Sequence, residues 1–377
     1  MSEGHPNCSL GSCVAGLHDC PLKVEVNNFK YKSLSDFACN PCLGCTHGCR
    51  FCYVPDTAAV KQKQLLASYG VSDPSAEWGG YTLVRPFDPL VFDGSLRRAE
   101  GIPREKLTRD GNRAVMFSST TDPYQRVRCD DAGRSKDLTR LLLDNGGRAL
   151  DAILERSTLN VRILTRSPLA TEHLGRFARF GNRLMLGVSL PTLDDGLSRI
   201  YEPRAPGPRQ RLELLMEAHR SGIPTFVAIA PVYPECGYDD IRKTMEAVAE
   251  ADPMTIFMEP INMRQGIAQL MCAELRKHGR DPDPSLLDPE RWPKYAVGRL
   301  LDAERAARET GLGGRFHPWP DHERLGSARV RKMMRVDWQH PDGISYDEWL
   351  DRSWSRVSEW PGKNVADSGN GTVPESE

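Results

Sequence analysis

Five cysteines crowd into residues 39–55, CNPCLGCTHGCRFCYVP, and eight of the chain's eleven lie within the first 52 residues. In a reducing compartment such crowding points to metal rather than to disulfides. Cys45, Cys49 and Cys52 are separated by three and two residues, and Gly44 and Gly48 let the backbone curl between them. Three thiolates so spaced can converge on one face of a cuboidal iron–sulfur cluster, and a three-ligand set leaves one iron open to an outside ligand. The alternative is a closed zinc knuckle built from Cys39, Cys42, Cys45 and either Cys49 or Cys52. Cys8, Cys13 and Cys20 match no metal spacing: they form a second site with Cys39 or Cys42, or they are ordinary thiols in a poorly ordered arm over residues 1–33. Cys129, Cys236 and Cys272 are isolated, as small buried hydrophobes usually are.

The chain has 377 residues, enough for one (β/α) barrel, commonly about 250 residues, with extensions. A formal net charge of −1 argues against wholesale attraction to nucleic acid or anionic membrane. No run approaches the roughly eighteen apolar residues of a membrane span, and the chain reads as a cytoplasmic protein with no membrane partner.

Along the chain, strands and helices alternate, which implies a parallel sheet with right-handed crossovers. The expected strands are Tyr31 to Ala38, Ala114 to Phe117, Val161 to Leu164, Leu184 to Val188, Pro224 to Pro234 and Thr255 to Glu259. Helices are expected over Thr57 to Tyr69, Lys136 to Arg156 with a break at Gly146-Gly147, Leu169 to Phe180, and Arg209 to Ser221 with Leu212, Leu215, Met216 and His219 on its apolar side. Residues 70–112, rich in Gly, Pro and Asp, read as an insertion. Residues 276–363 form a C-terminal extension, with a linker over 280–293, a helix from Tyr295 to Thr310 and then irregular chain. The basic run Arg324, Arg329, Arg331, Lys332 and Arg335 is a weak nucleic-acid signal, and the tryptophans between 319 and 360 suit packing better than base stacking. Residues 364–377 read as a disordered tail.

C-x3-C-x2-C with Phe51 before its last cysteine resembles the signature of radical S-adenosylmethionine (AdoMet) enzymes. The neighbouring Asn40-Pro41, Gly44-Cys45, His47-Gly48-Cys49 and Phe51-Cys52-Tyr53 resemble the spore photoproduct lyase-like family within them, as do Thr121-Asp122-Pro123-Tyr124-Gln125 and Glu202-Pro203-Arg204-Ala205-Pro206. The resemblance covers roughly residues 35 to 265. It implies an α/β fold, a partial (β/α)6 TIM-type barrel over residues 34–275. It also implies a [4Fe-4S] cluster on Cys45, Cys49 and Cys52, with AdoMet chelated by the open iron. Reduction by a partner such as flavodoxin or ferredoxin would cleave AdoMet to a 5'-deoxyadenosyl radical that takes hydrogen from a substrate.

By the same resemblance AdoMet would be contacted by Phe51, by Ser118 and Ser119 at the end of the second strand, by Arg166 after the third, by Ser189 after the fourth and, through the main chain against the adenine, by Ile229 on the fifth. Arg166 stands where the family has a lysine, and its planar fork suits a carboxylate. Glu202 and Arg204 either contact the site or fix their loop. The family also implies a cysteine hydrogen donor at the end of the second strand, where this chain has Ser119. A hydroxyl hydrogen is too strongly bound to take that part, so DNA photoproduct splitting, or another nucleic-acid repair or modification, is kept only as an alternative. The substrate stays open among nucleic acid, peptide and natural product, and a non-enzymatic zinc-binding protein is the remaining alternative.

Overall fold

The computed structural model describes residues 8–10, 13–27, 34–108, 110–262 and 265–361. Its strands are β1 (Cys8–Leu10), β2 (Cys13–Leu17), β3 (Glu25–Val26), β4 (Phe37–Ala38), β5 (Cys42–Leu43), β6 (Tyr81–Val84), β7 (Ala114–Met116), β8 (Asn160–Thr165), β9 (Leu184–Ser189), β10 (Thr225–Val232), β11 (Thr255–Pro260) and β12 (Phe316–Pro318). The α-helices are α1 (Lys63–Ser68), α2 (Pro89–Glu100), α3 (Ala132–Arg156), α4 (Leu174–Arg179), α5 (Asp195–Tyr201), α6 (Pro208–Arg220), α7 (Tyr238–Ala249), α8 (Gln265–Lys277), α9 (Trp292–Glu309), α10 (His322–Leu325), α11 (Ala328–Met334) and α12 (Tyr346–Ser355).

Eight strands form one sheet in the order β3-β4-β7-β8-β9-β10-β11-β12. From β4 to β12 every pair is parallel, and β3 is an antiparallel edge. The sheet keeps two free ends, so the α/β barrel is open, as expected. The strands alternate in what they bury. Val161 and Ile163 on β8, Leu186 and Val188 on β9, and Val227 and Ile229 on β10 enter the main core with the helices. Ala114, Met185, Phe226 and Phe257 form a separate inner cluster that fills the barrel. Gly187 is required there, since a Cβ at that position would lie 2.1 Å from the Phe226 ring.

Several expectations are corrected. The arm is not structureless within the described residues, because β1 pairs with β2, and β2 lies parallel to β6. The 70–112 insertion carries β6 and α2. The strand β6 pairs in turn with β5 in the cysteine stretch, so arm, insertion and cysteine loop share one four-stranded sheet. α3 runs unbroken through Gly146-Gly147. A mid-helix glycine costs roughly 0.5–1 kcal/mol, and burial of Leu142, Leu143, Ala149 and Leu150 on both flanks offsets it. α6 buries Leu214, Leu215 and Ala218 together with Arg211, whereas His219 is exposed. The proposed disordered tail, 364–377, and residues 31–33 of the first expected strand lie outside the described residues.

The C-terminal region adds a seventh parallel strand, β12, where irregular chain was expected. Trp319 stacks on Phe257 at 4.3 Å, and Trp338 packs against Tyr346 and Trp349. Trp360 enters the inner cluster, donates to Asn182 O at 3.0 Å and lies 5.0 Å from the buried Arg162 guanidinium. Trp360 thereby fills part of the barrel interior beside the N-terminal ends of β7, β9 and β10. The basic run is largely paired: Arg329 bonds Glu290, while Arg331 and Arg335 share Asp347. No helix among the described residues is long and apolar enough to cross a membrane.

Candidate cluster and cofactor site

The cysteine loop leaves the C-terminal end of β4, where parallel barrels place their chemistry. Its path is set by close backbone packing. Gly44 (φ +92°) lies under Tyr81, whose carbonyl would be 2.3 Å from any Cβ, and Gly48 (φ +59°) touches the Gly79 Cα. Gln125 clamps the loop from below. Its amide nitrogen donates to Thr121 Oγ1 at 2.8 Å and Cys42 Sγ at 3.1 Å, and its oxygen accepts from Thr46 N at 2.6 Å. Thr121 Oγ1 donates to Gly44 O at 2.6 Å and lies 3.0 Å from Cys42 Sγ. From the opposite side Arg50 N donates to Tyr201 O, Arg204 N to His47 O, and Arg204 Nη1 to Gly79 O at 2.6 Å.

Cys42 is therefore occupied with holding the loop, and Cys39 is fully buried in the main core. These are two of the thiols the zinc knuckle requires. Among the described residues no three His, Cys, Asp or Glu side chains are gathered around a point where one metal ion could sit. Cys45 and Cys49 are buried and Cys52 is half-buried. Burial pushes the Cys49 thiol up to about 12 and Cys52 to about 11, and raises Cys45 further, with Asp122 and the other two cysteines adding to the rise. Without metal the three stay protonated, so metal uptake must release their protons.

Behind the loop stands a charged trio. Glu202 is held by Arg166 Nε on one oxygen and by Arg211 Nη1, at 2.6 Å, on the other. The side chains of Glu202 and Arg211 are 0% exposed, while Arg166 is 18% exposed. Burial alone would raise the Glu202 carboxyl, but Arg211 and Arg166 outweigh it and hold the group below its usual range. The trio carries one net positive charge. Arg166 also reaches Ala230 O at 3.4 Å and lies 5.6 Å above the Phe51 ring. Asp122 joins the ends of β7 and β8, accepting from Thr165 Oγ1 and Arg166 N, both at 2.8 Å. His47 stands 3.5 Å from Asp122, and burial lowers its pKa to about 4, leaving it neutral.

The candidate residues fall into two groups. Phe51, Arg166 and Ser189 come together at the C-terminal barrel end, with Ser189 Oγ 3.4 Å from the same Ala230 carbonyl that Arg166 reaches. Ser119 is there too, but Asn40 engages its hydroxyl at 2.8 Å, and Tyr53 donates to its carbonyl at 2.9 Å. Ser118 accepts from Leu164 N at 3.1 Å, a strand-bridging bond. The Ile229 side chain is fully buried in the core shared with the helices, because strand alternation turns it away from the barrel interior, which leaves the expected main-chain contact untouched. Ala230, the next residue, offers its carbonyl to the site. Cys129 is engaged at the start of α3 with Asp131 O at 3.1 Å and Ser135. Sequence reasoning gave Asn40 and Gln125 only as parts of family-like strings, with no role, and passed over Arg211 and Tyr233. Arg211 was the hardest to find, since it looks like any helix arginine until β9 and Glu202 are placed beside it.

A family model of the radical SAM superfamily matches residues 39–248. The chain belongs to the radical SAM superfamily. Uncharacterized protein ORF301 of Acidianus two-tailed virus is 29% identical over 290 residues, which is 76% of this chain and 82% of that one. Among solved structures, spore photoproduct lyase complexed with dinucleoside spore photoproduct aligns at TM-score 0.53, with 13% identity over 81% of this chain and 80% of that one. A doubly substituted spore photoproduct lyase with bound AdoMet and the same dinucleoside aligns at 0.53 and 12% identity, again over 81% of this chain and 80% of that one. At such identity the likeness is one of fold.

Radical SAM membership makes the chain an enzyme and implies AdoMet and a [4Fe-4S] cluster. The loop fits such a group. It presents three thiols, and beside it, with its ring 6.0 Å from Phe51, lies the buried Tyr233 hydroxyl, which has no hydrogen-bond acceptor. An orphaned buried donor is costly, and a group bound at the loop would offer it an acceptor.

Proposed function

We propose that this chain is a radical SAM enzyme in which Cys45, Cys49 and Cys52 hold the cluster and the end of the barrel at Arg166, Ser189 and Ala230 receives AdoMet. The cluster and AdoMet together supply, after one-electron reduction by a flavodoxin- or ferredoxin-like partner, a 5'-deoxyadenosyl radical able to abstract a substrate hydrogen. The observation that carries this reading is the pairing of the three-cysteine loop with the Arg166–Glu202–Arg211 trio directly behind it. The chain's own work is to orient and to exclude water. Phe51 covers one face of the Arg166 guanidinium, whose Nε is taken by Glu202, and the N–H edge that remains is the one that would meet a carboxylate.

The substrate is presented at the C-terminal barrel end, where the cysteine loop lies. Its identity is unassigned. A DNA photoproduct is the second reading, favoured by the fold likeness to spore photoproduct lyase. Against it stands Ser119, a hydroxyl tied to Asn40. Anaerobic incubation of reconstituted protein with reductant and AdoMet tests the main reading: 5'-deoxyadenosine must form, and a protein with full iron and sulfide that forms none refutes it. Deuterated AdoMet with a dinucleoside photoproduct tests the second, which requires catalytic repair.

A further inference from the structure

Residues 201–204, at the end of α5 and just beyond it, hold the cysteine loop at two points that straddle one thiol. Arg204 N donates to His47 O at 3.3 Å, and Arg50 N donates to Tyr201 O at 2.9 Å. Cys49 lies between His47 and Arg50, so the turn that carries it hangs from this segment on both sides. The Arg204 side chain adds a third hold, with Nη1 donating to Gly79 O at 2.6 Å. Gly79 is pressed against the same turn, since a Cβ there would lie 2.8 Å from the Gly48 Cα. The other end of the segment is fixed as well. Glu202 N donates to Ser198 O at 2.7 Å, and Glu202 O accepts from Ala205 N at 3.1 Å. The Glu202 carboxylate is locked between Arg211 and Arg166. Arg211 also donates to Pro206 O and Ser189 O, which ties the segment to the end of β9. Glu202 and Arg204 are two residues apart, at most about 7 Å of chain, and they join Arg166 on one side to the Cys49 turn on the other.

We propose that Arg204 is a positioning residue that sets Cys49, and with it the cluster, at a fixed separation from Arg166. This rests on the assignment of Cys45, Cys49 and Cys52 as cluster ligands and of Arg166 to AdoMet. Arg204 keeps both holds at once, because its long side chain reaches Gly79 while its main chain lies against His47. A cluster hung from a loop moves with that loop, and a misplacement of about 1 Å is enough to slow a reaction on the order of 100-fold.

Arg204→Met and Arg204→Lys test this in reconstituted protein. Methionine keeps the main-chain bond and much of the length but deletes the donor to Gly79, whereas lysine keeps a donor of similar reach. Iron release to a chelator should be about tenfold faster in Arg204→Met, the factor carried by one charge-assisted hydrogen bond, and Arg204→Lys should restore most of it. The change that added AdoMet makes in the electron paramagnetic resonance signal of the reduced cluster should be smaller in Arg204→Met than in the wild type. The melting temperature of the metal-free protein should stay within about 2 °C in both variants, because the residue is exposed. Wild-type iron release in Arg204→Met overturns the proposal, and so does an undiminished response of the signal to AdoMet. A lower melting temperature that tracks faster iron release, with no rescue by lysine, makes Arg204 an ordinary brace and overturns it too. Cys49→Ala separates the two levels: full iron there defeats the ligand assignment and this inference with it, whereas an iron-free Cys49→Ala beside wild-type iron release in Arg204→Met defeats only this inference.

Discussion

Arg211→Met is the sharpest test of how the site is built. Methionine fills a similar length of buried space but deletes the donor to Glu202 at 2.6 Å and those to Pro206 O at 2.7 Å and Ser189 O at 3.2 Å. Removing one partner of a buried ion pair typically costs about 3–5 kcal/mol, because the remaining charge is left poorly compensated. Against a total stability of about 5–15 kcal/mol, that is a large fraction. The sign of the pH dependence gives a second, independent check. In the wild type Glu202 is held below its ordinary range, so its contribution is complete above the unfolded value of about 4.3 and is lost as pH falls through the folded value. Without Arg211, burial is opposed by Arg166 alone and the folded value rises. Stability of the variant then falls as pH rises, so its deficit against the wild type should shrink between about pH 7 and about pH 5. Urea unfolding of chelator-treated protein, followed by tryptophan fluorescence at both pH values, measures this. A deficit below about 1 kcal/mol, or one that stays constant with pH, would refute the reasoning. Glu202→Gln combined with Arg211→Met should cost less than the sum of the single changes, by about 0.5–3 kcal/mol.

Cys45→Ala, Cys49→Ala and Cys52→Ala should each abolish reconstituted iron and 5'-deoxyadenosine formation, whereas Cys39→Ala and Cys42→Ala should keep the cluster, as measured by iron and sulfide content. Arg166→Ala should weaken AdoMet binding by about 1.5–3 kcal/mol in calorimetry, the range for a hydrogen bond to a charged group; unchanged affinity with lowered stability would make Arg166 a brace for Glu202 only. Gly44→Ala should reduce both thermal stability and iron uptake, because its Cβ would strike the Tyr81 carbonyl at a backbone φ of +92°; normal iron content would show that the loop path is not needed for the cluster.

The three-cysteine spacing and the six main strands were legible because each is local: thiol spacing is a property of one loop, and a short apolar run before a polar turn marks a buried parallel strand. Arg166 was legible by its place after the third strand. Other features were decided by partners distant in sequence. β12 has three residues, too few for periodicity, and exists only because β11 offers an edge. The order of the arm and the strand inside the insertion could not be read locally, because β2 and β6 find each other, and β5, across a long separation. The same holds within the site. Ile229 and Ala230 are equally apolar neighbours, and only the alternation of a placed strand says which one turns toward the barrel interior. Cys42 and Cys45 are both loop thiols in sequence. The tertiary structure separates them by surrounding Cys42 with Thr121 and Gln125, which are 79 and 83 residues away, since hydrogen-bond satisfaction of a buried group depends on what the fold brings to it.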